Sequence, residues 1–149
     1  LLDYADKKEI EERKKYYPNS KKWAWYSNLF QSSNVYGGFQ VHFKTDDNNY
    51  IIQSLDGLKL YENNIEECYG KMLEIINDIS ELFVSIAPTK IETSNLSLAK
   101  WTDSSLIFKS GDFVIVRCAD YHKEKYIDHL RISIHKKKYM DWVRNKAYK

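Results

Sequence analysis

Residues 63–87, NNIEECYGKMLEIINDISELFVSIA, carry the longest uninterrupted helical pattern in the chain. Apolar side chains recur at Ile65, Cys68, Tyr69, Met72, Ile75, Ile76, Ile79, Leu82, Phe83 and Ile86. That spacing puts one buried stripe on a 3.6-residue helix. Asn63 fits the N-cap position with Glu66 three residues on, and Glu66 and Glu67 suit the positive end of the helix dipole. Pro88 is expected to end the helix, because it lacks an N–H and drives Ala87 out of helical geometry.

On both sides of this helix the pattern becomes that of strands. Residues 34–44 alternate Phe39, Val41 and Phe43 with Gln40, His42 and Lys44, the period of a half-buried strand. Residues 46–49 (DDNN) read as a turn, residues 50–55 as a returning strand, Asp56-Gly57 as a second turn and residues 58–61 as a short third strand. After Pro88, strands are expected over residues 91–101, 105–109 and 112–119, with Ser110-Gly111 as a tight hairpin link. The clearest strand is 126–135, where Leu130, Ile132 and Ile134 alternate with His129, Arg131, Ser133 and His135. Residues 3–17 read as a mostly polar helix, 20–30 as a second short helix bearing Trp23, Tyr26 and Phe30, and 136–148 as a closing helix.

The fold class follows: α+β, a single two-layer domain with an antiparallel sheet of about six to seven strands. One long central helix is expected to cover the sheet, flanked by shorter N- and C-terminal helices. The whole chain, 1–149, reads as one domain, with a helical segment over 1–30 and the α+β core over 34–149.

Composition narrows the class further. At 43% hydrophobic and 30% charged, the chain is that of a folded globule. No apolar run approaches the roughly 20 residues of a transmembrane helix. The net charge of +2 is unevenly spread. Residues 1–30 hold seven basic against five acidic side chains, and 131–149 hold seven against one. Residues 31–130 hold nine against fifteen, so the ends carry +8 and the middle −6. An acidic middle favours a basic partner. A start at Leu1 rather than Met is what a removed signal peptide, a lipoprotein anchor, a tag or preceding disordered residues leave behind.

Two cysteines are present. Cys68 lies on the apolar stripe of the long helix and Cys118 on the Val114/Val116 face of its strand. If the helix covers that face, the sulfurs are neighbours and a bridge closes a loop of about 50 residues. Such a bridge implies a periplasmic or extracellular protein; two free buried thiols imply a cytoplasmic one.

Candidate chemistry concentrates on the polar face of strand 126–135. His129, Arg131 and His135, joined by His42, are the residue types that bind or cleave a phosphodiester, and Lys136, Lys137 and Lys138 extend the positive charge. His129 and His135 are six residues apart, about 20 Å at strand rise, so both cannot serve one phosphate. A solvated sheet face and a solvated helix face account for the same residues without a function. The nucleotide-loop, dinucleotide, zinc-peptidase and serine-hydrolase signatures are all absent from the sequence. No metal site and no cofactor is expected.

The composition therefore points first to a small exported, non-enzymatic protein-binding protein, such as a bacterial immunity or inhibitor protein that occludes its partner. An RNA-binding protein or small metal-independent ribonuclease is the alternative, and a pocket for a small apolar ligand comes third.

Overall fold

The computed structural model describes residues 1–3, 5–29, 37–62, 64–123 and 126–148. Helix α1 (Lys7–Arg13) leads into strands β1 (Lys15–Tyr17), β2 (Ser20–Leu29), β3 (Gly38–Lys44) and β4 (Ser54–Leu60). Helix α2 (Ile65–Leu82) follows, then β5 (Glu92–Asn95), β6 (Ala99–Ile107), β7 (Phe113–Tyr121) and β8 (His129–His135). Helix α3 (Lys137–Trp142) closes the chain and runs into one turn of π-helix over Val143–Ala147. The eight strands among the described residues form one antiparallel sheet in the order β1-β2-β3-β4-β8-β7-β6-β5. The α+β class with an antiparallel sheet stands.

Several finer expectations do not. The sheet has eight strands rather than six to seven, because residues 15–29 supply β1 and β2 instead of a helical segment. Trp23 pairs with Lys44 and packs on Tyr139 and Trp142, whereas Ala24 and Tyr26 pair with Phe43 and Val41 on the opposite face. A strand buried on both faces loses the period-2 alternation that marks a strand in sequence. Asp56-Gly57 is no turn either, since both lie within β4, paired to Gln40 and Phe39 on one side and to Ser133 and Ile132 on the other.

Helix α2 is capped by Asn64, whose Oδ1 accepts the Glu67 N–H at 3.2 Å. The expected cap, Asn63, lies outside the described residues. The helix ends at Leu82, well before Pro88. Leu82 is 77% and Val84 89% exposed, so a further turn would have no sheet to cover. Nor is α2 central to the sheet. Its buried stripe, Cys68, Met72 and Ile76, packs on Val116, Cys118 and Leu130 of β7 and β8. The other end of that face is covered by α1, where Ile10 is buried among Ala24, Tyr26, Val41, Phe43 and Tyr50. On the reverse face Tyr139, Trp142 and Ala147 pack on Tyr17 and Trp23, so α3 adds a partial third layer.

Candidate functional site

The cleft is built on the reverse face, beside α3. Cross-strand partners of an antiparallel pair point to the same side, so the register aligns three rows of side chains there. One row runs Trp25, His42, Ser54, His135, Phe113. The next runs Gln40, Asp56, Ser133, Ile115. The third runs Leu58, Arg131, Arg117, Asp103. Tyr139, Met140, Val143, Arg144 and Tyr148 form a wall over these rows, leaving an open cleft of about 590 Å³ that Trp25 and Trp101 also line.

Most polar groups of its floor are committed to one another. Ser133 Oγ donates to Asp56 Oδ1, and His42 Nε2 lies 3.3 Å from Asp56 Oδ2. Burial works to raise the Asp56 carboxyl, but the hydrogen bonds from His42 and Ser133 and the charge of Arg131 outweigh it and hold the group below its usual range. An ionised Asp56 makes His42 Nε2–H the donor. His42 Nδ1 lies 3.0 Å from the Tyr17 hydroxyl, and Tyr17 in turn is hydrogen-bonded to Tyr139. Burial pushes the Tyr17 phenol up to about 12 and that of Tyr139 higher still. A chain of hydrogen bonds therefore runs from α3 through β1, β3 and β4 to β8. His135 sits apart from it, with Nδ1 2.7 Å from Ser54 Oγ. Burial pushes His135 down to about 4, so its ring is neutral at pH 7.

The arginines behave differently. Arg117 places Nε and Nη2 2.8 Å from Asp103 Oδ2 and lies 4.2 Å over the Trp101 ring. Arg131 stands directly across the strand pair from Arg117. Its Nε is buried and has no hydrogen-bond partner among the described residues. Like charges directly opposite are unfavourable in an antiparallel sheet, and an orphaned buried donor is more so. With Arg144 at the rim, three arginines against one aspartate give the lining a formal +2, of which Asp103, paired to Arg117, offsets one charge.

Of the residues singled out from sequence, His42, Arg131 and His135 meet in this cleft. His129 shares their face but lies outside it, with Nδ1 3.2 Å from the Ile127 carbonyl and its ring 5.6 Å from Tyr121. Burial lowers its pKa. Lys136 precedes α3, Lys137 pairs with Asp141, and Lys138 is exposed; none lines the cleft. Asp56, Arg117, Trp101, Tyr17 and Tyr139 were missed. Asp56 was hidden in an apparent turn and Tyr17 in an apparent helix, whereas Arg117 was visible as a cation on the strand face opposite Val116.

Cys68 and Cys118 form a disulfide, with Cα atoms 6.0 Å apart, both fully buried on the α2 face. Among the described residues, no group of three or more His, Cys, Asp or Glu is placed to hold a metal ion. No helix among them is long and apolar enough to cross a membrane. The bridge and the lack of such a helix are compatible with a periplasmic or extracellular protein.

Fold and site together define an α+β domain with a cationic, aromatic-walled cleft on the sheet face away from its main helix. No family model, no curated protein and no solved structure matches the chain.

Proposed function

We propose that this domain is a binding protein, exported to an oxidising compartment, whose cleft holds a phosphate-bearing ligand without transforming it. The observation that carries this reading is Arg131, a half-buried cation whose buried Nε is orphaned and which faces a second arginine. A ligand anion supplies the missing acceptor and relieves the repulsion, and a guanidinium fork fits phosphate geometry. The floor also discriminates against cations. Both oxygens of Asp56, the sole carboxylate of the lining among the described residues, are already engaged by His42 and Ser133. Against a ribonuclease stands the state of the two histidines. Both nitrogens of His42 are occupied by protein partners, and burial pushes His135 down to about 4, so neither offers a leaving group a free imidazolium N–H.

Tryptophan fluorescence tests the reading, because Trp25 and Trp101 line the cleft. Titration with inorganic phosphate at low salt is expected to give a saturable change that Arg131→Met abolishes. A flat wild-type titration, or an equal response in the variant, counts against it.

The occluding-inhibitor reading has one specific feature in its favour. Leu82, Val84 and Ile107 are 77%, 89% and 58% exposed where the end of α2 meets the β6–β7 hairpin, joined by the Phe83–Phe108 ring contact at 5.1 Å. Exposed apolar surface of this kind suits a protein partner. A partner complex that survives Leu82→Glu/Ile107→Glu would remove this patch from consideration.

A further inference from the structure

We infer that the ligand carries a planar aromatic base beside its phosphate, and so is a nucleoside phosphate, either free or at the end of a single strand. This rests on the phosphate reading above and adds a second anchor to Arg131. That anchor is Arg117. Asp103 accepts from two of its nitrogens, each at 2.8 Å, and the Trp101 ring backs its guanidinium at 4.2 Å. The plane is therefore fixed on one side by indole and along one edge by a carboxylate, and both Arg117 and Trp101 line the cleft. A guanidinium plane and an indole face are the two surfaces on which unstacked bases settle. The salt bridge to Asp103 already balances the charge of Arg117. Its remaining asset is its flat surface, whereas Arg131 keeps an unspent donor.

The register makes the two anchors one site. Arg117 and Arg131 are direct cross-strand partners, so their backbones lie about 5 Å apart, a separation that a ribose spans. A phosphate on Arg131 thus brings an attached base alongside Arg117 and Trp101. The cleft, at about 590 Å³, falls in the range of sites that enclose ligands of this size.

Isothermal titration calorimetry of the full chain separates the possibilities with ribose 5-phosphate, adenosine 5′-monophosphate and triadenylate as probes. The monophosphate is expected to bind on the order of ten-fold more tightly than ribose 5-phosphate, the advantage of one stacked base. Trp101→Leu should shrink that ratio towards one while leaving ribose 5-phosphate binding in place. Should the variant fail to fold, the wild-type ratio alone decides. Equal affinity of the two monophosphates overturns the base-stacking inference and leaves the phosphate reading standing. No binding of any probe overturns both. Triadenylate tighter than the monophosphate assigns the ligand to a strand; equal or weaker binding assigns it to a free nucleotide.

Discussion

Replacing Arg131 by methionine is expected to make the protein more stable while removing its ligand. Two costs disappear with the guanidinium. The orphaned buried Nε costs about 1–3 kcal/mol. The like-charge pair with Arg117 costs about 0.2–1 kcal/mol more. One benefit disappears too, because Arg131 helps keep Asp56 ionised, which is worth on the order of 1 kcal/mol at partly solvated separations. Methionine refills most of the volume of the arginine stem, so packing contributes little to the balance. The net expectation is a gain of about 1 kcal/mol, or roughly 2–4 °C in Tm for a chain of this size. Urea denaturation at pH 7 in phosphate-free buffer measures it, with an unchanged m-value as the control for an intact fold. Phosphate should then raise the wild-type midpoint through native-state binding and leave the variant unmoved. A variant destabilised by more than about 1 kcal/mol would refute the reasoning, since Arg131 would then be a structural strut and not a waiting ligand group.

Three further perturbations probe other parts of the molecule. Cys68→Ala/Cys118→Ala opens a bridge between residues 50 apart and should lower stability by about 4 kcal/mol in the chain-entropy model; an unchanged urea midpoint would contradict a formed disulfide. Gly111 has φ of +83° in the hairpin between β6 and β7, and an added Cβ would lie 2.5 Å from the Lys137 side chain. Gly111→Ala should therefore cost about 1–2 kcal/mol, mostly from the left-handed backbone because the lysine can swing aside, and thermal melting reads the loss. His135 is held at about 4 against 6.5 unfolded, so the unfolded chain binds its proton first. Stability from this group is complete above pH 6.5 and is lost as pH falls towards 4, and Asp56, also lowered, extends the loss below its unfolded value of 3.8. Urea midpoints from pH 7 to 4 should fall in wild type and stay flatter in His135→Gln.

The sequence was legible wherever one face of an element met the core and the other met water. The stripe of α2 and the alternation of β8 are of that kind, and so is the Cys68–Cys118 contact, since each cysteine could be assigned to a face. It was illegible where both faces are buried, as in β2, whose Trp23 and Tyr26 lie on opposite sides and mimic helical spacing. The floor of the cleft failed for a different reason. Asp56 finds its partners 14 and 77 residues away, and Tyr17 meets Tyr139 across 122 residues. A buried carboxylate next to glycine looks like a turn until those partners are known. His42, Arg131 and His135 could be singled out because strand alternation alone puts them on the polar face, but only the strand order shows which of them share a site.

That strand order also separates the work of the two faces. The α2 face is apolar and cross-linked, with Cys68, Val116, Cys118 and Leu130 almost wholly excluded from water. The cleft face carries what a fold optimised only for stability would discard: adjacent arginines, a buried aspartate hydrogen-bonded to a histidine, and a neutralised second histidine. Because cross-strand partners share a side and successive residues alternate, β7 and β8 serve both faces at once. Val116 and Cys118 bind the helix while Ile115 and Arg117 line the cleft; Leu130 and Ile132 pack on α2 while Arg131 and Ser133 do not. The strands under the disulfide-linked part of the core are thus the ones that present Arg117 and Arg131. Asp103 offsets the charge of Arg117, and the Cys68–Cys118 disulfide anchors from behind the backbone that sets Arg117 opposite Arg131.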